Sequence, residues 1–387
     1  MSHEDMPKVY NWQLGRYMDY LYKENRPKKQ VAAVFDINKC IACQTCTQAC
    51  KTTWTSGKGK EYMWWNNVET KPWGSYPLGY DAKTLGLLGP QEWKSDGEGY
   101  TYSGKTIFED VKLGDRVTGY QPKDLEWAYP NMGEDETNEI IDESKYHLTI
   151  PHAIWNFYLA RLCNHCTYPA CLAACPRKSI YKRPEDGIVL IDQKRCRGYR
   201  ECVKGCPYKK AMYNHTTRVS EKCIFCYPAV EKGIWPRCMR NCVGKIRMVG
   251  HVNTPENAIP DNPIDFLVHI KKIALPLYPQ YGTEPNIYYI PPIHVPTKFT
   301  RQIFGPGVDK AIELYQRVRS GDEPEILGIL MLNVSTNRIF SKFSVTDKEA
   351  IGYAEDGSEV VRVALKEPTI TRPYYDPLID TYRHNTP

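Results

Sequence analysis

Fifteen cysteines in 387 residues fall into four runs with none left over, and that arrangement constrains the chain more than any other feature. Cys40, Cys43, Cys46 and Cys50 follow C-x2-C-x2-C-x3-C, the spacing of bacterial ferredoxin-type iron–sulfur ligation. Cys163, Cys166, Cys171 and Cys175 form C-x2-C-x4-C-x3-C, closed by Pro176. In the third run, Cys196, Cys202 and Cys206 precede Pro207, and the missing member falls on Tyr199. Cys223, Cys226, Cys238 and Cys242 complete the set as C-x2-C-x11-C-x3-C. An odd count in so long a chain fits poorly with a disulfide scaffold.

A cubane cluster needs four soft thiolates aimed at one small volume. A tight C-x2-C-x2-C loop supplies three, and the last cysteine of the run ligates the other cluster of a two-cluster module. Runs therefore work in pairs. Runs two and three are separated only by residues 176–195 and pair as an inner module, leaving runs one and four as an outer one. Cluster A then takes Cys40, Cys43, Cys46 and Cys242, and cluster B takes Cys223, Cys226, Cys238 and Cys50. Cluster C takes Cys163, Cys166, Cys171 and Cys206, and cluster D is left with Cys175, Cys196 and Cys202. Structural zinc is the competing chemistry. Its four-thiolate sites join two short knuckles, whereas all four runs here end in C-x3-C.

Tyr199 is a poor replacement for a thiolate on iron, so the expected complement is three [4Fe-4S] clusters and one [3Fe-4S] cluster at D. The alternative at D is a four-iron cluster with oxygen ligation from Tyr199 or water. Around this run stand Lys194, Arg195, Arg197, Arg200, Lys204, Lys209 and Lys210. They read either as a solvated basic face or as cations that stabilise anionic clusters. His165, inside the second run, is expected to donate a hydrogen bond near cluster C and not to ligate.

Hydrophobic residues at 42% and charged residues at 25% describe an ordinary globular chain, and a formal charge of +6 does not imply nucleic acid. No stretch approaches the apolar length of a membrane span. The N-terminus lacks the apolar core of a signal peptide, which keeps an independently sorted chain in the cytoplasm but allows export as a partner's passenger. Neither a G-x-G-x-x-G fingerprint nor an H-E-x-x-H site is present, so no catalytic residue is assigned. Residues 99–106 satisfy the G-x-x-x-x-G-K-[ST] pattern, but polar 91–98 is no buried strand, and a chance match in a turn is expected.

The fold class expected is α+β: two nested bacterial-ferredoxin-like two-cluster modules with long loop insertions and a C-terminal extension. The divisions are an N-terminal extension (1–30), an outer module (31–60 with 215–250), an insertion (61–150), an inner module (151–214) and the extension (251–387). Within the insertion, Trp64, Trp65 and Trp73 pin irregular backbone, 99–119 allows short strands, and acidic 124–145 reads as a surface loop. Beyond Cys242, helices are expected at 266–273 and 309–319. Residues 288–292 read as extended, and 361–365 as a strand. Residues 326–332 fit a strand or one short helix, and the tail from 372 wraps a partner or hangs loose.

At the four runs, and above all at Cys196-Arg197-Gly198-Tyr199-Arg200-Glu201-Cys202, the chain resembles the four-cluster beta subunits of molybdopterin oxidoreductases, including respiratory nitrate reductase. Asn66-Asn67-Val68-Glu69-Thr70-Lys71-Pro72 and Tyr289-Ile290-Pro291-Pro292 resemble family segments too, and the likeness covers roughly 30–300. Val9-Tyr10-Asn11-Trp12-Gln13-Leu14-Gly15-Arg16 and Met63-Trp64-Trp65 most resemble the nitrite oxidoreductase branch, of the anammox and Nitrospira type. The resemblance implies a molybdopterin-containing alpha subunit, a haem-containing gamma subunit or cytochrome, and electron relay from nitrite oxidation. It also implies co-export with alpha to the periplasm or an anammoxosome-like lumen, with the cytoplasmic side of the membrane as the alternative. A relay subunit for nitrate, selenate, chlorate, perchlorate or hydrocarbon chemistry is the second functional reading.

Overall fold

Val31-Ala32-Ala33-Val34-Phe35 is an unbroken apolar run, and such a run makes a strand covered on both faces. In the computed structural model, which describes residues 6–95, 97, 99–109, 111–128, 155–365 and 374–383, it lies in strand Gln30–Asp36, buried throughout. This strand pairs antiparallel with Arg247–Val252 and parallel with Ile287–Ile290, and the latter pairs with Leu275–Pro276. The resulting four-stranded sheet ties together segments on either side of all four cysteine runs. Because side chains alternate along a strand, Val31, Ala33 and Phe35 face the core that holds the cysteine segments. Ala32 and Val34 face a second core, built with Tyr315, Ile326 and Ile329 from the C-terminal helices.

Each run leads into a short helix. Helix Thr45–Trp54 packs on Arg237–Arg240, so the first and fourth runs meet beside the sheet. Helices Ala170–Ala174 and Glu201–Gly205 pack on each other and bring the second and third runs together. Their approach needs a glycine: a Cβ on Gly205 would stand 2.8 Å from the Ala174 Cβ. Each inner helix is followed by a hairpin, Ile180–Lys182 with Val189–Ile191 and Ala211–Asn214 with Val219–Lys222.

The insertion is anchored by Asn67–Lys71, which pairs antiparallel with Phe157–Arg161. Beneath this pair, buried Glu69 forms an ion pair with Arg161, whose guanidinium lies 3.9 Å from the Tyr80 ring centroid and donates to the Tyr76 carbonyl at 2.7 Å. Lys71 bridges Glu69 and Asp81. Tyr80 and Asp81 open helix Tyr80–Leu88, which no sequence pattern announced.

The short strands expected across 99–119 reduce to Tyr100–Tyr102, paired with Trp93–Ser95. The apparent alternation through Val111, Leu113 and Val117 fails because Leu113 is fully exposed and Gly114, at φ +92°, turns the chain. The phosphate-loop pattern sits on this short strand and a turn, without the helix such a loop requires. Of the acidic segment, Asp124–Trp127 is a 3-10 turn, and 129–145 lies outside the described residues.

Past the sheet, Pro263–Asp265 continues into a wider helical turn, Phe266–Ile270. Val308–Ser320 and Pro324–Val334 are helices, the second resolving 326–332 as helical. Lys342–Val345, Glu349–Tyr353 and Glu359–Ala364 form an antiparallel sheet that takes in Val361 and Val363. In the tail, Tyr374–Asp376 pairs with Thr381–Arg383. Among the described residues, no helix is long and apolar enough to cross a membrane.

Candidate iron–sulfur centres

A loop that curls its sulfurs inward has to leave ordinary backbone geometry, and all four runs do so at the same place. The third residue of each run has positive φ: Ala42 at 52°, His165 at 41°, Gly198 at 68° and Phe225 at 54°. Left-handed backbone at three non-glycine residues costs energy that the surroundings must supply. The third run repeats the bend although Tyr199 occupies the position of Cys43, Cys166 and Cys226. Its phenol is 61% exposed, turned out of the loop. The inner helices then end on the last cysteines of their runs, Cys175 and Cys206, which cap them.

These loops bring the cysteines together in sets drawn from two runs each. Cys163, Cys166 and Cys171 line one cavity with Cys206. Cys175, Cys196 and Cys202 line a second, with Tyr199 at its rim. Cys50 joins Cys223, Cys226 and Cys238 around a third. Cys40 faces Cys46 and Cys242, and Cys43, exposed at the surface, accepts the backbone N–H of Val243. The cysteines assigned to C, D and B thus each share the wall of one cavity. Among the described residues, no three His, Cys, Asp or Glu side chains come close enough to hold a single metal ion.

The sets are adjacent in the order A, B, C, D. Buried Arg247 lies against Cys46, Cys238, Cys242 and Cys40, joining A to B. Its Nη2 donates to Cys46 Sγ at 2.9 Å and its Nη1 to Asn66 Oδ1 at 2.7 Å. Buried Lys222 lies against Cys163, Cys171 and Cys223, joining B to C. Cys202 of D stands near Cys206 of C. Burial disfavours both cations, and the cysteine sulfurs around them, as thiolates, more than offset it and hold each above its ordinary pKa. At the two ends the surface is close: Ile41 and Val243 are exposed beside A, and Tyr199 beside D.

Burial pushes the Cys50 and Cys202 thiols up to about 12, and raises Cys166, Cys171, Cys223 and Cys238 well above their ordinary value. These side chains are neutral thiols unless a metal takes the proton's place, and metal coordination deprotonates a thiol outright. Donors already surround several sulfurs. Trp54 Nε1 donates to Cys226 Sγ at 3.2 Å, and the backbone N–H groups of Phe225, Ser179 and Ser220 donate to Cys223, Cys175 and Cys196 at 3.3, 3.4 and 3.4 Å. Other buried polar atoms on the cavity walls have no protein partner: Trp65 Nε1 at B, and His165 Nε2 and the Asn164 amide at C. Soft thiols, inward donors and unpaired polar atoms on the walls of common cavities fit iron–sulfur clusters.

The basic run divides. Lys194, Arg195, Arg197 and Arg200 are exposed, and Lys209 and Lys210 are buried. Lys209 donates to the carbonyls of Tyr120 and Lys204 at 2.8 and 2.7 Å, and Lys210 to that of Trp64 at 3.2 Å. Burial pushes both down to about 7. Arg247, Lys222 and Trp54 were not singled out from sequence. A lone arginine inside the apolar stretch Ile246-Arg247-Met248-Val249 was the one available signal.

Residues 154–252 match the family described as 4Fe-4S dicluster domain. The chain is similar to the chlorate reductase beta subunit of Ideonella dechloratans, 42% identical over 321 residues, covering 74% of this chain and 89% of that one. It is also 40% identical over 335 residues to the dimethylsulfide dehydrogenase beta subunit of Rhodovulum sulfidophilum, covering 79% and 96%. The respiratory nitrate reductase beta subunit of Haloferax mediterranei is 42% identical over 339 residues, covering 78% and 90%. With these relatives and this geometry, the chain belongs to the iron–sulfur, electron-transfer beta subunits of the nitrate-reductase-type molybdopterin oxidoreductases.

Proposed function

We propose that the chain relays electrons through three [4Fe-4S] clusters at A, B and C and one [3Fe-4S] cluster at D, between a molybdopterin-bearing catalytic subunit and a haem-bearing partner. The ligands are Cys40, Cys43, Cys46 and Cys242 at A; Cys50, Cys223, Cys226 and Cys238 at B; Cys163, Cys166, Cys171 and Cys206 at C; and Cys175, Cys196 and Cys202 at D. The carrying observation is the ordered row of cysteine sets with its first and last members at the surface. Bound clusters supply one-electron storage. The chain's own residues fix their spacing, exclude water from B and C, and place Arg247 and Lys222 between neighbours. A zinc ion would need four sulfurs at about 2.3 Å from one point, and the sulfurs here surround cavities instead.

The relatives' names favour a catalytic partner that acts on chlorate, nitrate or dimethylsulfide, and a nitrite-specific role is the second reading, carried by segments 9–16 and 63–65 alone. Two nested two-cluster modules describe the pairing of runs one with four and two with three. Export with the catalytic subunit to the periplasm is the companion proposal, tested by fractionation. The deciding experiment is anaerobic iron and sulfide analysis with electron paramagnetic resonance. About fifteen irons with an oxidised three-iron signal support the relay, and zinc without labile sulfide overturns it. Assay of the co-purifying catalytic subunit decides the substrate.

A further inference from the structure

Two buried N–H groups on the walls of cavities B and C lack an acceptor, although each ring is fixed in place. The Trp65 indole can only donate, and its Nε1 is buried beside Cys50, Cys223, Cys226 and Cys238 with no protein partner. Trp54, on the same wall, shows how such a group is satisfied: it donates to Cys226 Sγ at 3.2 Å. His165 is 1% exposed, and its Nδ1 accepts the Val189 N–H at 3.1 Å. In the neutral ring the proton therefore sits on Nε2, which has no partner. The Phe225 ring, edge-on at 5.2 Å, and Asn286, donating to the His165 carbonyl at 2.9 Å, hold the residue where it is.

We infer that Trp65 Nε1–H and His165 Nε2–H donate to sulfur atoms of the clusters in cavities B and C, and hold the reduction potentials of those two clusters up. A hydrogen bond to cluster sulfur strengthens as the cluster gains negative charge, so it favours the reduced state. The inference rests on the relay reading, because it needs clusters in those cavities.

The test uses the purified complex. Trp65→Phe should shift the oxidised-to-reduced ratio of cluster B about tenfold towards oxidised at fixed ambient potential, which is about 59 mV for one electron. His165→Phe should do the same to C, and each variant should leave the other clusters where they were. Pulsed electron paramagnetic resonance of the reduced wild-type complex in H2O and D2O should show an exchangeable proton coupled to B and another to C, each lost in its own variant. Unchanged potentials with full iron and sulfide would overturn the donor assignment and leave the relay standing. Wild-type complex without iron and sulfide would overturn both. If a variant does not fold, the deuterium comparison on wild type decides alone, and no exchangeable coupling at B or C refutes the inference.

Discussion

Replacing Arg247 with Met should lower the reduction potentials of clusters A and B together and leave C and D nearly unmoved. The side chain is 1% exposed and reaches Cys46 Sγ at 2.9 Å, while Cys238 and Cys242 place its charge beside both sets. The charge added on reduction spreads over a whole cluster, so an effective separation of about 6 Å is appropriate. At an effective dielectric constant of about 20, one unit charge at that distance is worth about 2.8 kcal/mol. For a one-electron couple this converts to about 120 mV, and reorganisation of nearby dipoles leaves roughly half or more. The shift should be larger at A, where Arg247 donates directly to Cys46 Sγ, than at B. Potentiometric titration followed by electron paramagnetic resonance, with iron and sulfide confirmed, reads all four clusters at once. Arg247→Lys keeps the charge and should recover most of the shift. Equal shifts at all four clusters, or none at A in a fully loaded variant, would refute the electrostatic argument.

Tyr199→Cys restores the missing thiolate in a loop whose backbone already bends like the others, so D should hold four irons and its potential should fall; a persistent three-iron signal in a folded variant would contradict this. Gly205→Val should force apart the helices capped by Cys175 and Cys206, costing about 1–3 kcal/mol and depleting iron at C and D before A and B, a pattern that site-resolved spectra read. Glu69→Gln breaks the buried pair with Arg161 and should cost about 3–5 kcal/mol, measured by denaturant unfolding. Burial alone would raise the Glu69 pKa, but Arg161 and Lys71 hold it below its ordinary 4.5. Its folded value therefore lies below its unfolded one. The stability it contributes is complete above pH 4.5 and is lost as pH falls through the depressed value. Wild type should lose stability more steeply than Glu69→Gln below pH 4.5, and equal slopes would argue against the pairing.

What could be read from the sequence was whatever is local. The cysteine spacings, the interruption at Tyr199, the helix at Val308–Ser320 and the strand holding Val361 and Val363 each lie within a short window. Run order points to one grouping of the cysteines because one short connection leaves few ways to pair four loops. The surroundings were less legible. Arg161, Arg247 and Lys222 are buried by segments far away in the chain, and a charged residue in a window carries no mark of what will cover it. Strand Asn67–Lys71 escaped notice because all five residues are buried although four are polar, Glu69 and Lys71 being neutralised by Arg161 and Asp81. Across 99–119 the period-two pattern misled, since Leu113 points to solvent. Substrate choice is least legible of all: the cysteine geometry is shared by relatives named for chlorate, dimethylsulfide and nitrate.

Every cysteine set borrows a residue from the run that serves its neighbour. During synthesis, a chain that has emerged only as far as Cys175 can finish neither inner site, because Cys206 closes one and Cys196 and Cys202 belong to the other. Both become possible once Cys206 is out. The outer sites wait longer: Cys40, Cys43, Cys46 and Cys50 emerge early and stay incomplete until Cys238 and Cys242 follow. The inner pair therefore has all its ligands before either outer site does, and the earliest thiols wait longest for a partner. A ribosome stalled between Cys206 and Cys238 should yield a product loaded at the inner pair alone, and a cell short of iron should accumulate chains whose first run is the first to be damaged.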